Sequence, residues 1–66
     1  MSILKVIEVL SNSEESWEDA TKKAVKKASK SVKNIRSAYV NEMTTVVKDG
    51  EVTEFRVNVK ITFAVD

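Results

Sequence analysis

The 66-residue sequence contains no cysteine, no histidine and no proline, and only one glycine. Without cysteine the chain cannot form a disulfide framework, a zinc finger, an iron–sulfur cluster or a thiol nucleophile. Without histidine it lacks the commonest ligand of transition metals and the usual general base at neutral pH. Because no apolar run reaches the ~20 residues of a membrane span and no secretory signal peptide is recognisable, we expect a cytoplasmic protein without membrane contact.

The short length predicts self-association. A domain of about 60 residues buries only ~60% of its unfolded surface, and such chains usually need disulfides, a metal or oligomerisation. Disulfides and a His/Cys metal site are excluded here, so we favour a homo-oligomer over a well-packed monomer. The sequence shows no linker and no internal repeat, which predicts one domain over residues 1–66.

The first strand is predicted over residues 3–10, where six of eight residues are apolar and rich in Ile and Val. Both of its faces are largely apolar, so we expect both to contact protein. A single helix covers only one face of a small sheet, and the second apolar face therefore predicts a neighbouring subunit.

An amphipathic helix is predicted from about residue 14 to residue 33 or 34, with Ser13 as its N-cap and acids in its first turns. Small and apolar residues recur with helical spacing on one face: Trp17, Ala20, Thr21, Ala24, Val25, Ala28, Ser31 and Val32. Lysines occupy the opposite arc: Lys22, Lys23, Lys26, Lys27, Lys30 and Lys33. Because the apolar stripe is mostly alanine, the helix can approach a sheet closely.

Two longer strands follow the helix. Alternation over residues 35–47 predicts a strand with Ile35, Ser37, Tyr39, Asn41 and Met43 on one face. Asp49 and Gly50 predict a hairpin turn, after which residues 52–65 alternate between apolar and polar side chains. The sequence therefore predicts an α+β fold of order β-α-β-β, a three-stranded antiparallel sheet packed on one long helix. We expect Phe55, Val57, Val59 and Ile61 to be buried against that helix.

Side-chain catalysis is not expected, and the chain is not interpreted as an enzyme. Two carboxylate pairs are conceivable, Glu8 with Glu54 and Glu42 with Glu51, but we favour solvated acids in each case. No EF-hand loop is present, so a calcium site would have to be assembled across subunits or be mostly water-ligated.

The lysine arc and the single tryptophan are the remaining candidate ligand sites. From residue 21 to 36 the sequence has seven positive residues and no negative one, a pattern that could contact phosphates. We favour a solvated helix face, because nucleic-acid binders usually add stacking aromatics or a much higher pI, so nucleic acid is not an expected partner. For Trp17 we favour core or interface packing over ligand stacking.

The ordered segments resemble the dodecin family over essentially the whole chain. They are the opening strand KVIEV, the helix start SWEDA, the helix exit IRSAYV, the hairpin DG and the closing strand FRVNVKITF. The resemblance implies a hollow homododecamer that binds a small ligand. It also implies that the ligand is a flavin such as riboflavin or its phosphate (FMN), bound as stacked pairs between subunits. A protein of this family is expected to store its ligand and not to convert it.

The flavin positions implied by the resemblance are substituted in this chain. The stacking tryptophan falls on Ser37, which offers no ring, and a flavin-bonding glutamine falls on Arg56, which offers donors but no acceptor. Ser37, Arg56 and the neighbouring Tyr39 are therefore the candidate ligand-binding residues. The helix start with Ser-Trp-Glu and the missing flavin tryptophan resemble a branch described as calcium-binding dodecins.

These observations lead to three hypotheses. The first is a dodecin-like shell that lacks the usual stacked flavin mode and holds a small molecule, an anion or a metal ion such as calcium. The second retains riboflavin or FMN, held by stacking on Tyr39 or Arg56. The third is a basic shell that binds phosphate, coenzyme or nucleic acid through the helix lysines.

Overall fold

The structure is a computed structural model that describes residues 3–65. Within that range three strands and one helix follow in the order β1 (Ile3–Ser13), α1 (Trp17–Ala28), β2 (Ile35–Lys48) and β3 (Glu51–Val65). The strands form one antiparallel sheet in the order β1-β3-β2. The predicted β-α-β-β fold is thus confirmed. The prediction of one domain over residues 1–66 extends to positions 1, 2 and 66, which lie outside the described residues.

The core lies between α1 and the central strand β3. Val57, Val59 and Ile61 are fully buried, and they contact Ala20 and Ala24, which are at most 6% exposed. The small alanine side chains let the helix backbone lie close to the sheet. The predicted burial of Val57, Val59 and Ile61 is confirmed, whereas Phe55 at the edge of the core is only half-buried.

The helix is shorter than predicted at both ends. It begins at Trp17, and Ser16 is its N-cap, since the Ser16 hydroxyl oxygen accepts a hydrogen bond from the Asp19 N–H at 2.9 Å. The prediction that Ser13 caps the helix is wrong, because Ser13 is the last residue of β1 and pairs with Phe55. Its hydroxyl instead supports the connecting turn, accepting from the Glu15 N–H at 2.9 Å.

After Ala28 the chain leaves the helix. Turn hydrogen bonds follow, and Asn34 adopts a left-handed backbone with φ of 62°. Its carbonyl accepts from the Ala64 N–H at 3.0 Å, which ties the helix exit to the end of β3. Within residues 3–65 no helix is long and apolar enough to cross a membrane.

The predicted hairpin between β2 and β3 is confirmed. Lys48 pairs with Glu51, and the two loop residues Asp49 and Gly50 have positive φ angles of 51° and 78°. Two positive φ angles are typical of a type I′ turn, whose twist matches that of the flanking strands. Asp-Gly suits this turn because glycine carries no penalty there and aspartate tolerates the left-handed region.

Strand β2 does not keep the simple alternation predicted for it. Register shifts occur between Ile35 and Ser37 and between Val40 and Glu42. As a result Ile35 packs against the core while Ser37 lies on the other face, so the prediction that they share a face is wrong. Each of these two shifts leaves one extra residue in β2, as a β-bulge does, and moves the following side chains to the opposite face. A third shift lies between Val46 and Val47.

Candidate functional site

The sheet face opposite α1, called here the outer face, is uncovered and partly apolar. On β3, Asn58, Lys60 and Thr62 alternate with the buried Val57, Val59 and Ile61, so they lie on the outer face. Their cross-strand partners on β1 and β2 lie on the same face. On β1 the apolar members Leu4, Val6 and Leu10 are 56%, 58% and 69% exposed. The sequence predicted that both faces of the first strand are largely apolar, and the outer face of β1 is apolar in the folded chain. Its contact with a neighbouring subunit stays a prediction.

All three candidate ligand residues lie on the outer face. Ser37 pairs with Thr62, Tyr39 pairs with Lys60, and Arg56 belongs to β3 itself. Ser37 and Arg56 are exposed, and Tyr39 is 63% exposed. All three side chains can reach a ligand, because none is used to build the core.

Within one protomer these residues do not form a single pocket. Thr62, the partner of Ser37, and Arg56 are six residues apart along β3. At about 3.3 Å per residue this separates Ser37 from Arg56 by roughly 20 Å. A ligand that touches both positions therefore has to lie between two copies of the chain.

Arg56 is oriented by a polar network on the outer face. Its Nε donates to the Asn12 side-chain oxygen at 2.9 Å, and the Asn12 amide nitrogen donates to Glu54 at 3.0 Å. The network uses one of the five guanidinium N–H groups and leaves the terminal nitrogens available. A guanidinium group oriented in this way is suited to charge-assisted hydrogen bonds with a carboxylate or a phosphate.

A second polar pair on this face, Glu42 and Asn58, was not identified from the sequence. The two residues are cross-strand partners, and such partners place their Cβ atoms ~5 Å apart. The side-chain oxygen of Asn58 is buried and has no hydrogen-bond partner within residues 3–65. Buried acceptors are normally satisfied, so this oxygen is suited to an external donor or cation. Only the bulge after Val40 brings Glu42 beside it, and the sequence gives no signal of that bulge.

The two carboxylate pairs considered from the sequence are separated. Glu8 pairs with Lys60, six residues from Glu54 along β3, and Glu42 pairs with Asn58, seven residues from Glu51. Each separation corresponds to about 20 Å or more. Over the described part of the chain, no group of three or more His, Cys, Asp or Glu side chains could hold a metal ion.

Trp17 has a packing role, as favoured from the sequence. Its ring meets the Phe55 ring edge-on, with centroids 5.2 Å apart and planes at 76°. Its indole Nε1 donates to the Thr44 carbonyl at 3.0 Å. The indole thereby connects the start of α1 to both long strands, so it is not free to stack on a ligand.

Four lysines, Lys23, Lys26, Lys27 and Lys30, line an open groove between α1 and β1. The groove has a volume of about 770 Å³ and is lined by Ile7, Val9, Leu10, Ser11, Lys23, Ala24, Lys26, Lys27, Ala28, Lys30, Ser31 and Val32. Its floor is apolar and its rim is basic. We refer to it as the lysine-rimmed groove.

The N-terminal turn of α1 carries a local acid–base contact. The Asp19 carboxylate accepts from the Ser13 hydroxyl at 2.6 Å and lies 3.1 Å from the Lys23 ammonium. The Ser13 hydrogen bond, aided by Lys23, lowers the pKa of Asp19 below its usual value. This contact stabilises the helix start and lies away from the outer face.

Comparisons with known proteins point to one family. The model of the family described as Dodecin matches residues 3–66. A relative from Mycobacterium tuberculosis (strain ATCC 25618 / H37Rv) named calcium dodecin is 36% identical over 63 residues, spanning 96% of this chain and 89% of the relative.

Solved structures share the whole architecture. The crystal structure of the Mycobacterium tuberculosis calcium dodecin, described as calcium-chelating with a calcium-binding site, matches with a TM-score of 0.85 and 35% identity over 98% of this chain and 93% of that one. A Streptomyces davaonensis dodecin matches with a TM-score of 0.92 at 23% identity, covering 98% and 96%. At that identity the second likeness shows the fold alone.

Proposed function

The chain belongs to the Dodecin family, and from that premise we propose that it forms a hollow homododecamer that binds and stores a small ligand without turnover. We further propose that this ligand is a metal ion such as calcium, or an anion, and that the usual stacked flavin mode is absent. The cytoplasmic location expected from the sequence stays a prediction.

The outer face of the sheet is the observation that carries this proposal. Exposed Leu4, Val6 and Leu10 give each copy an apolar surface suited to burial against another copy. Ser37 and Arg56 lie roughly 20 Å apart on that face, so one protomer cannot enclose a ligand between them. Both facts support a ligand site made between subunits.

Two features support a ligand other than stacked flavin. Ser37 is exposed and has no ring, so the position implied for stacking cannot form a sandwich around a flat ligand. Trp17 cannot replace the missing ring, because its indole packs on Phe55 and donates to the Thr44 carbonyl.

Calcium is supported by oxygen chemistry at Glu42 and Asn58. Calcium takes six to eight oxygen ligands, and carboxylate and amide oxygens are among those it prefers. The buried side-chain oxygen of Asn58 has no hydrogen-bond partner among residues 3–65, and the cross-strand partner of Asn58 is the exposed Glu42. One protomer supplies too few oxygens, so the remaining ligands would come from a second copy or from water. The calcium-chelating relative supports the same ion.

Native mass spectrometry tests the assembly and its contents together. We expect a mass of twelve chains, with calcium adducts that a chelator removes. A monomer mass at micromolar concentration would refute the shell.

A riboflavin titration followed by flavin fluorescence tests the ligand class. We expect little quenching at low micromolar riboflavin. Strong quenching would instead support a flavin held by Tyr39 or Arg56, with Arg56→Ala as the variant that reports on it.

Calcium calorimetry with Glu42→Gln tests the proposed ligand pair. Loss of one charged ligand should weaken calcium binding by at least about tenfold, equivalent to ~1.4 kcal/mol. Glu51→Gln, an exposed acid at the hairpin turn, is the matched control and should bind as the wild type does. Equal affinity of all three proteins would remove Glu42 from the site.

A further inference from the structure

Arg56 and Asn58 occupy adjacent positions on the outer face of the sheet. They are two residues apart on β3, which corresponds to about 7 Å along the strand. Their cross-strand partners on β2 are Thr44 and Glu42, and the pairing between them runs without a register shift. Arg56 therefore borders the two proposed calcium ligands, Glu42 and Asn58.

The positive charge of Arg56 is not neutralised within the described chain. Among residues 3–65 the only ion pair joins Lys23 to Asp19, so no carboxylate lies within ion-pair distance of Arg56. The Nε of Arg56 donates to the neutral side-chain oxygen of Asn12 at 2.9 Å, while the Asn12 amide nitrogen donates to Glu54 at 3.0 Å. The guanidinium group is thus oriented, and its terminal nitrogens remain available as charged donors.

A calcium ion at Glu42 and Asn58 would face two difficulties in a single protomer. The charge of Arg56 would repel it, because like charges this close interact unfavourably. The protomer also supplies few ligands, since the described residues include no group of three or more His, Cys, Asp or Glu side chains that could hold a metal ion. An external oxyanion removes both difficulties, because its oxygens can bind calcium and also accept hydrogen bonds from a guanidinium group.

We propose that calcium and a phosphate monoester bind together on the outer face, the calcium ion at Glu42 and Asn58 and the phosphate on the terminal nitrogens of Arg56. The phosphate oxygens would complete the coordination of calcium, and Asn12 is the positioning residue that orients Arg56. A phosphate monoester suits this site better than a carboxylate, because at neutral pH it carries nearly two negative charges and three acceptor oxygens. The inference rests on the calcium part of the proposed function.

Thermodynamic linkage provides the test. If the two ligands bind together, each raises the affinity of the protein for the other by the same factor. Calcium calorimetry of the purified protein is therefore run with and without methyl phosphate at constant ionic strength. We expect calcium to bind at least about fivefold more tightly when methyl phosphate is present. Acetate, which carries one charge and two oxygens, should give a smaller gain.

Two variants separate the guanidinium geometry from net charge. Arg56→Lys keeps the charge but loses the planar pair of donors, so it should lose most of the gain caused by methyl phosphate. Lys60→Gln is the matched control, because Lys60 is exposed on the same face and lies two residues from Asn58 on its other side. Lys60→Gln removes a charge and leaves Arg56 intact, so it should keep the gain.

Phosphorus NMR of methyl phosphate measures the same coupling from the other ligand. Adding calcium should strengthen the binding of methyl phosphate to the wild type by the factor found in calorimetry, because the coupling is reciprocal. Methyl phosphate that binds the protein equally well with and without calcium would refute the shared site.

The outcomes distinguish this proposal from the proposed function. A calcium affinity unchanged by methyl phosphate would refute the joint binding and leave the calcium site standing. An equal gain with acetate would refute the preference for phosphate, and equal losses in Arg56→Lys and Lys60→Gln would refute the role of the guanidinium group. A wild type that binds no calcium under either condition would refute both this proposal and the calcium part of the proposed function.

Discussion

Replacing Ser37 by tryptophan should create flavin binding in this chain. The side chain of Ser37 is exposed on the outer face, and its cross-strand partner is Thr62, so an indole there does not enter the core. The resemblance to dodecins places a stacking ring at this position. The substitution therefore adds the ring that a stacked flavin needs and leaves the buried side chains unchanged.

The size of the effect follows from stacking energies. An aromatic side chain stacked on a flat heterocycle contributes about 1–3 kcal/mol, which corresponds to roughly 5- to 150-fold in affinity. Arg56 has no acceptor to offer the flavin, and it stays held by Asn12 in the variant. We therefore expect a gain within this range for Ser37→Trp alone.

The assay is a riboflavin titration followed by quenching of flavin fluorescence, with the assembled mass checked in parallel. Thr44→Trp is the matched control, because Thr44 is also exposed on β2 and pairs with Arg56, about 20 Å from Ser37. We expect quenching by Ser37→Trp and little by Thr44→Trp. An assembled Ser37→Trp protein with no gain would refute the inference that the missing ring is what prevents flavin binding.

Three further predictions concern the helix and the core. Ser16→Ala removes the N-cap oxygen and should lower the free energy of unfolding by about 1 kcal/mol in urea titrations; an unchanged midpoint would argue against Ser16 as the cap. Ile61→Ala should lower the free energy of unfolding by about 2–5 kcal/mol, because Ile61 is fully buried. Val65→Ala at the exposed strand end should lower it by less than ~0.5 kcal/mol. Similar losses in the two variants would contradict the placement of the core. The pKa of Asp19 lies below its usual 3.8, so its carboxylate stabilises the fold above that pH and loses this effect as the pH falls through the lower folded pKa. Lowering the pH from about 5 to about 2 should therefore reduce the free energy of unfolding more in the wild type than in Asp19→Asn. Parallel plots of stability against pH for the two proteins would refute a stabilising contact of Asp19.

The central strand shows how much of the fold could be predicted. The period-two pattern around Val57, Val59 and Ile61 requires one covered face, and the alanines at positions 20 and 24 allow a helix to cover it closely. The Asp49–Gly50 turn likewise depends on local backbone preferences. These features are local, so residue order predicts them.

The helix start was harder to predict because two serines compete for it. Ser13 and Ser16 are both suitable N-caps, and local propensity does not separate them. Strand pairing with Phe55 keeps Ser13 in β1, so the helix can begin only after Ser16. The pairing of Ser13 with Phe55, which is distant in the sequence, thus determines where the helix begins.

The sequence by itself determined the element types, the hairpin, the apolar identity of the core and the absence of cysteine and histidine chemistry. Only the tertiary structure decided that β3 is central, that a bulge brings Glu42 beside Asn58, and that Ser37 and Arg56 lie roughly 20 Å apart. Strand order and register depend on contacts between residues distant in the chain, which local propensities do not encode. These long-range contacts leave the candidate residues on one open sheet face, where a ligand site needs a second copy to complete it.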